Sequence, residues 1–206
     1  MARSGRLSLA LLLLAALSGC RGGAARAWDA LERARRLDAQ VEGAAHPEQV
    51  AAARDRAWQQ AEARWQATLT ARPNDAEAHL ALALIAWQAR QDAAGAGGHL
   101  QPVIAQLSAQ DAATLAQRRP GGRTGAAVLA EAYALRAAIT IGAGDGSPPP
   151  SSLVEAAGDA EQAVRLDPRP DYQRLRESIR WMQTAARDEG SRPLDPGTLQ
   201  PRDSAR

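Results

Sequence analysis

The residues of this chain with reactive side chains are one cysteine, Cys20, three histidines, His46, His79 and His99, and a scatter of carboxylates. A helical zinc site of the H-E-x-x-H type needs two imidazoles four apart with a carboxylate between them, and no two of these histidines are so spaced. Asp75 and His79 stand one helical turn apart and read as a hydrogen-bonded pair on a solvated face. Gly142-Ala143-Gly144-Asp145-Gly146 has the glycine density of a phosphate cradle. It leads into Pro148-Pro149-Pro150 instead of opening a helix after a strand, so it reads as a turn. Gly121-Gly122-Arg123-Thr124-Gly125 reads likewise as a stop and restart between helices. Ser147 lacks the flanking glycine of a nucleophile elbow. All 25 basic residues are Arg. Without Lys there is no Walker A loop, no Schiff base and no Ser-Lys pair. These patterns nominate no catalytic residue, metal ligand or cofactor, and the expected protein is not an enzyme.

Cys20 is the exception, because of what precedes it. Met1 to Arg6 is short and basic through Arg3 and Arg6, Leu7 to Leu17 is apolar, and Ser18-Gly19 places small residues directly before the cysteine. The apolar run is shorter than the roughly 20 residues that span a bilayer as a helix, so it reads as a removable segment. Leu17-Ser18-Gly19-Cys20 resembles the lipobox of bacterial lipoproteins. The resemblance implies a signal peptide over 1–19, lipidation at Cys20 with acyl chains such as palmitate, and a lipidated tether over 20–25. Arg21 stands where an Asp would favour retention in the inner membrane. The expected location is therefore the cell outer membrane, lipid-anchored on its periplasmic face.

Loss of the signal segment removes Arg3 and Arg6 and brings the basic residues level with the 23 acidic ones. A neutral mature chain has no cationic surplus for a phosphate backbone, so nucleic acid is not an expected partner. No second cysteine is available for an intramolecular disulfide, so an exported domain must rest on its core. The chain is long enough for one such domain.

Pro73, Pro120 and Pro168 stand at near-even intervals, each closing a related segment: Ala67-Thr68-Leu69-Thr70-Ala71-Arg72, Ala113-Thr114-Leu115-Ala116-Gln117-Arg118-Arg119, and Gln162-Ala163-Val164-Arg165-Leu166-Asp167. Such a period marks a stacked helical array. Apolar residues recur at helical spacing along Trp58, Ala61, Trp65 and Leu69, and again along Ala76, Leu80, Leu84 and Trp87. Helices are predicted over 26–43, 48–71, 75–92, 98–117, 124–141, 151–166 and 171–188, with a capping box at Asn74 and Glu77. Gly95-Ala96-Gly97-Gly98 and Gly142 to Ser152 read as turns.

Trp28-x-x-Leu31, Ala61-x-x-x-Trp65 with Pro73, and Leu129-Ala130-x-x-Tyr133 with Ala156, Ala163 and Pro168 resemble the signature of tetratricopeptide repeats, with units longer than the usual 34 or so residues. The resemblance implies an all-α fold, a right-handed α-α superhelix over 26–189 with a C-terminal capping helix, followed by a disordered tail over 190–206. An irregular helical bundle is the competing architecture. By repeat register, a concave groove would present Ala78, Leu82, Ile85, Glu131, Leu135, Gln173, Glu177, Arg180 and Trp181 to a protein partner. Trp65 would be core. Arg169, Arg176, Arg180 and Arg187 share one side of the last helix, where interleaved acids make a solvated face the simpler reading. The implied function is a non-catalytic interaction scaffold or adaptor in envelope assembly. The alternative is an accessory component of a periplasmic solute-uptake system.

Overall fold

Ala- and Leu-rich stripes interrupted by Pro, Gly and Asp dictate a chain of helices with short breaks. The computed structural model describes residues 5–41, 43–143 and 147–190, with side chains described within 23–187. It shows α1 (Gly5–Gln40), α2 (Pro47–Ala71), α3 (Ala76–Arg90), α4 (Ala93–Ser108), α5 (Ala112–Ala116), α6 (Gly125–Gly142), α7 (Pro150–Leu166) and α8 (Pro170–Gly190). The fold is all-α. Among the described residues the extended pairing is confined to one isolated bridge between Arg118 and Thr124.

Short oxygen-bearing side chains start four of these helices. Asp75 accepts from the Ala78 amide at 3.0 Å, Asp92 from Gly95 at 2.8 Å, Asp111 from Thr114 at 2.7 Å and Thr124 from Ala127 at 3.1 Å. Each satisfies an amide that the first turn leaves unpaired and stabilises its helix by about 1 kcal/mol. These caps correct three sequence expectations. Asp75, not Asn74, caps α3, and Glu77 is turned away from the cap. Gly95 to Gly98 is not a turn: Asp92 begins α4 at Ala93 and its carboxylate closes over Gly95. The single helix expected over 98–117 is two, because Asp111 caps a fresh start after Ser108.

At the N-terminus the helix expected from 26 is continuous with the segment before it, as α1 spans Gly5–Gln40. Ala24, Ala27, Trp28, Leu31 and Ala34 form one buried stripe. Among the described side chains Ala24 is the first buried one, inside the stretch read as a tether. Four residues before Trp28, Ala24 simply continues the helical period. The side chain of Cys20 and residues 191–206 lie outside the described residues.

Consecutive helices pack side by side: α1 on α2, α2 on α3, α3 on α4, α6 on α7 and α7 on α8, while α4 packs on α6 across the short α5. α3 also touches α1 and α6, so it is enclosed, and Ala76 to Ala86 are buried apart from His79. Trp65 is fully buried and meets Trp28 edge-on, centroids 5.1 Å apart at 69°. α6 is long and apolar enough to cross a membrane, yet it is half buried inside this fold, against α7, α4 and α3. A Cβ on Gly125 would press the Leu115 backbone at 3.2 Å, so the glycine sets how closely α5 and α6 approach. Ala137, Ala156, Ala160 and Ile179 join α6, α7 and α8 in a smaller cluster.

Candidate functional site

Among the described residues, the exposed large apolar side chains are carried by the last helical pair. α8 alternates a buried face, Tyr172 and Ile179, with an outer face bearing Gln173, Glu177, Arg180 and Trp181. Trp181 is 72% exposed and Val154, on α7, is 64% exposed. An indole left in water at this level forgoes most of the stabilisation its burial would supply, which makes it a marker of a contact surface. A cleft between α7 and α8, on the side of α8 away from Trp181 by helical period, is lined by Pro150, Leu153, Val154, Gln183, Ala186 and Arg187. Gln183 holds its floor by donating to the Leu153 carbonyl at 3.1 Å.

The outer face is electrically mixed. Glu161 of α7 receives Arg176 at 3.8 Å and Arg180 at 3.3 Å, and Gln173 donates to the Pro168 carbonyl at 3.2 Å. Arg169 lies over the Tyr172 ring at 4.3 Å and pairs with Asp167 at 3.0 Å. Arg176 and Arg180 thus tie α8 to its neighbour through Glu161 of α7, not through acids interleaved along α8.

The other half of the expected groove is closed. Ala78, Leu82, Ile85 and Leu135 are buried, because α3 is flanked by α1 and α6 where a groove would need open space. Glu131 has a side chain only 15% exposed and is occupied internally: it accepts from Arg123 and, at 3.5 Å, from Arg35. Arg35 also donates to Gln88 at 2.9 Å and Arg123 covers the Trp28 ring at 4.8 Å. This network straps α1, α3 and α6 together across the face read as concave. Of the residues expected to meet a partner, the structure keeps Gln173, Glu177, Arg180 and Trp181 together on the surface and puts Leu82, Ile85, Glu131 and Leu135 inside.

Two polar clusters escape sequence reasoning. Glu77 is 1% exposed; its Oε2 accepts from the Gly121 amide at 2.9 Å, while Oε1 and the Trp28 Nε1 are both buried without partners. Burial pushes the Glu77 carboxyl above the usual glutamate range, opposed by the Gly121 hydrogen bond. A Cβ on Gly121 would meet Glu77 Oε1 at 2.5 Å and Trp28 Nε1 at 2.7 Å. Only glycine fits there.

The second cluster pairs His79, expected beside Asp75, with His99 of α4, Nδ1 to Nδ1 at 3.2 Å. The His79 Nε2 contacts the Pro73 carbonyl at 2.9 Å, which requires a proton on Nε2. His79 Nδ1 is then the acceptor and His99 donates from its own Nδ1. Burial, and then the neighbouring His79, push His99 below the ordinary histidine range. Partners 44 and 20 residues away in sequence leave no local spacing signal. The feature that points to the first is a lone Glu in an otherwise apolar stretch.

Among the described residues no three His, Cys, Asp or Glu side chains converge as a metal site. Compared with family models, with characterised proteins and with solved structures, the chain matches none.

Proposed function

We propose that the chain is a lipoprotein of the cell outer membrane, held by acylated Cys20 on the periplasmic face, whose helical domain is a non-catalytic scaffold for a protein partner. The observation that carries the interaction half is Trp181, a large apolar side chain standing in solvent on the outer face of α8 with Glu177 and Arg180. Aromatic anchors rimmed by Arg and Glu are what protein contact sites concentrate. Support for a tetratricopeptide-like stack comes from α1, α3, α6 and α8, which touch in that order, the first three each packed on the next long helix in the chain, α2, α4 and α7. The contact surface is then the terminal unit and its capping helix, not a continuous concave groove.

The membrane half rests on the lipobox-like order Leu17-Ser18-Gly19-Cys20 and on the short distance from Cys20 to Ala24, the first buried residue among the described side chains. Mass analysis of the purified N-terminus together with photocrosslinking in cells from position 181 tests both halves. Acylated Cys20 and a defined crosslinked partner are expected. An N-terminus other than Cys20 removes the anchor, and the absence of any adduct at 181 removes the contact site.

A further inference from the structure

The end of the domain that carries Cys20 also bears several arginines. α1 runs antiparallel to α2, as shown by Arg64 donating to the Arg26 carbonyl at 2.9 Å near one end and Arg54 reaching Asp38 at 3.4 Å near the other. The N-terminal end of α1 therefore lies level with the α2–α3 turn. Gly121 packs against Trp28, and a cleft bounded by Arg72, Pro73, Asn74, Arg119 and Pro120 joins that turn to the α5–α6 loop. One end of the molecule thus gathers Arg64, Arg72, Arg118 and Arg119.

Asp29 lines a cleft with Arg26, Arg33 and Arg64, and the other carboxylates nearby are occupied. Asp75 is committed to Arg72, at 3.0 Å, and to the α3 cap; Glu77 is buried; Asp111 caps α5. Arg118 donates to the Gly122 carbonyl and Arg119 to Gln110, both neutral acceptors. Among the described residues neither Arg64 nor Arg118 forms an ion pair with a carboxylate. Toward the opposite end Arg54 pairs with Asp38 and Asp55 and Arg90 with Glu62, while Arg56 donates to the Ala52 carbonyl.

We infer that this end is a docking face for the anionic phospholipid headgroups of the bilayer that holds Cys20, with Arg64 and Arg118 as its outermost contacts. The inference rests on the lipid-anchor reading. Cys20 precedes Ala24 by one helical turn, about 6 Å of rise. The headgroup layer is itself several ångströms deep, and the Debye length is about 8 Å at physiological salt, so an extended guanidinium one or two turns above the anchor reaches unscreened phosphate. Each Arg near an anionic surface favours the docked state about fivefold.

The test uses the acylated protein, purified from membranes and checked for acyl-Cys20 by mass. With Cys20 blocked by lipid, a nitroxide on Asn74→Cys, in the exposed α2–α3 turn, or on Ala45→Cys, in the loop at the far end, is the only label. Vesicles of neutral phosphatidylcholine, or of phosphatidylcholine with 30% phosphatidylglycerol, are compared using a water-soluble paramagnetic broadening agent.

In the anionic vesicles the label at 74 is expected to be shielded and the label at 45 not. Arg64→Gln with Arg118→Gln lowers the docked-to-free ratio about 25-fold, as 0.5 M salt does through screening. Equal exposure at 74 in both vesicle types, or shielding that ignores salt and the two substitutions, overturns headgroup recognition while leaving the anchor intact. An unacylated Cys20 overturns the anchor and the docking face together, and the mass measurement tells the two failures apart.

Discussion

Trp65 and Trp181 are the same residue in opposite circumstances. Trp65 is fully enclosed against Trp28, so Trp65→Ala should cost about 3–5 kcal/mol in denaturant unfolding. Trp181→Ala should change stability by less than about 0.5 kcal/mol while reducing partner crosslinking. A comparable loss at both would make Trp181 a packing residue. Glu77 gives a signed pH dependence. Its folded-state carboxyl titrates above the unfolded value of about 4.3, so the stability it contributes is present below that pH and is lost as pH rises through the folded value. Relative to Glu77→Gln, the parent should lose stability as pH climbs from about 4.3, measured by urea midpoints across pH. The histidine pair acts in the other direction. His99 is held neutral, so stability present above about pH 6.5 declines as pH falls toward its lowered folded value, and His99→Gln should flatten that limb.

At the scale of elements, helix period and breaks made most of the fold legible: the breaks at Pro73, Pro120 and Pro168 all fall between helices, and Trp65 is core as its spacing implied. The boundaries that moved did so for reasons of capping, since an Asp at 92 or 111 decides where a helix starts more firmly than a glycine decides where one ends. Groove residues were less legible. Leu82, Ile85 and Leu135 occupy the register expected of a concave face, but the small Ala side chains around them let α3 settle between its neighbours, and spacing carries no record of that distance. Glu131 was read as a contact from repeat register, and its Arg partners, 8 and 96 residues away, leave no helical-spacing signal. Gly121 offers the sharpest element-level test. Gly121→Ala inserts a methyl between Glu77 and Trp28 and should cost about 1–3 kcal/mol, where Gly158→Ala, with open space at its Cβ, should be neutral or stabilising. Thermal melts of the two variants separate a steric requirement from a helix-propensity effect.

For the whole molecule, stability is graded along the chain. The largest apolar cluster unites α1 to α6, whereas α8 rests on two small clusters and packs almost entirely on α7 and the edge of α6. The Arg136 guanidinium grips Asp159 through two bonds of 2.6 Å, so α7 is pinned to α6 more firmly than α8 is to either. Amide hydrogen exchange should therefore release α8 first and α3 last, the order expected when opening free energy follows buried apolar contact. Simultaneous exchange of all helices would show a single cooperative unit instead. The surface bearing Trp181 thus sits on the least anchored element, where a partner can gain by ordering it.

The unbroken course of α1 also places maturation in time. A signal peptidase reads its substrate as an extended strand, and Gly19-Cys20 lies in a turn of helix immediately before Ala24, which is already packed. Cutting a finished domain would require that turn to unwind beside a docked residue. Cutting a nascent chain would not. Under the anchoring proposed at Cys20, cleavage and acylation would come before α1 settles on α2, and the helix would then act as a stiff stem that fixes the domain's posture on its lipid. A precursor trapped by early folding would persist uncut in a pulse-chase, and loosening the stem with Ala24→Gly and Ala27→Gly should hasten its processing.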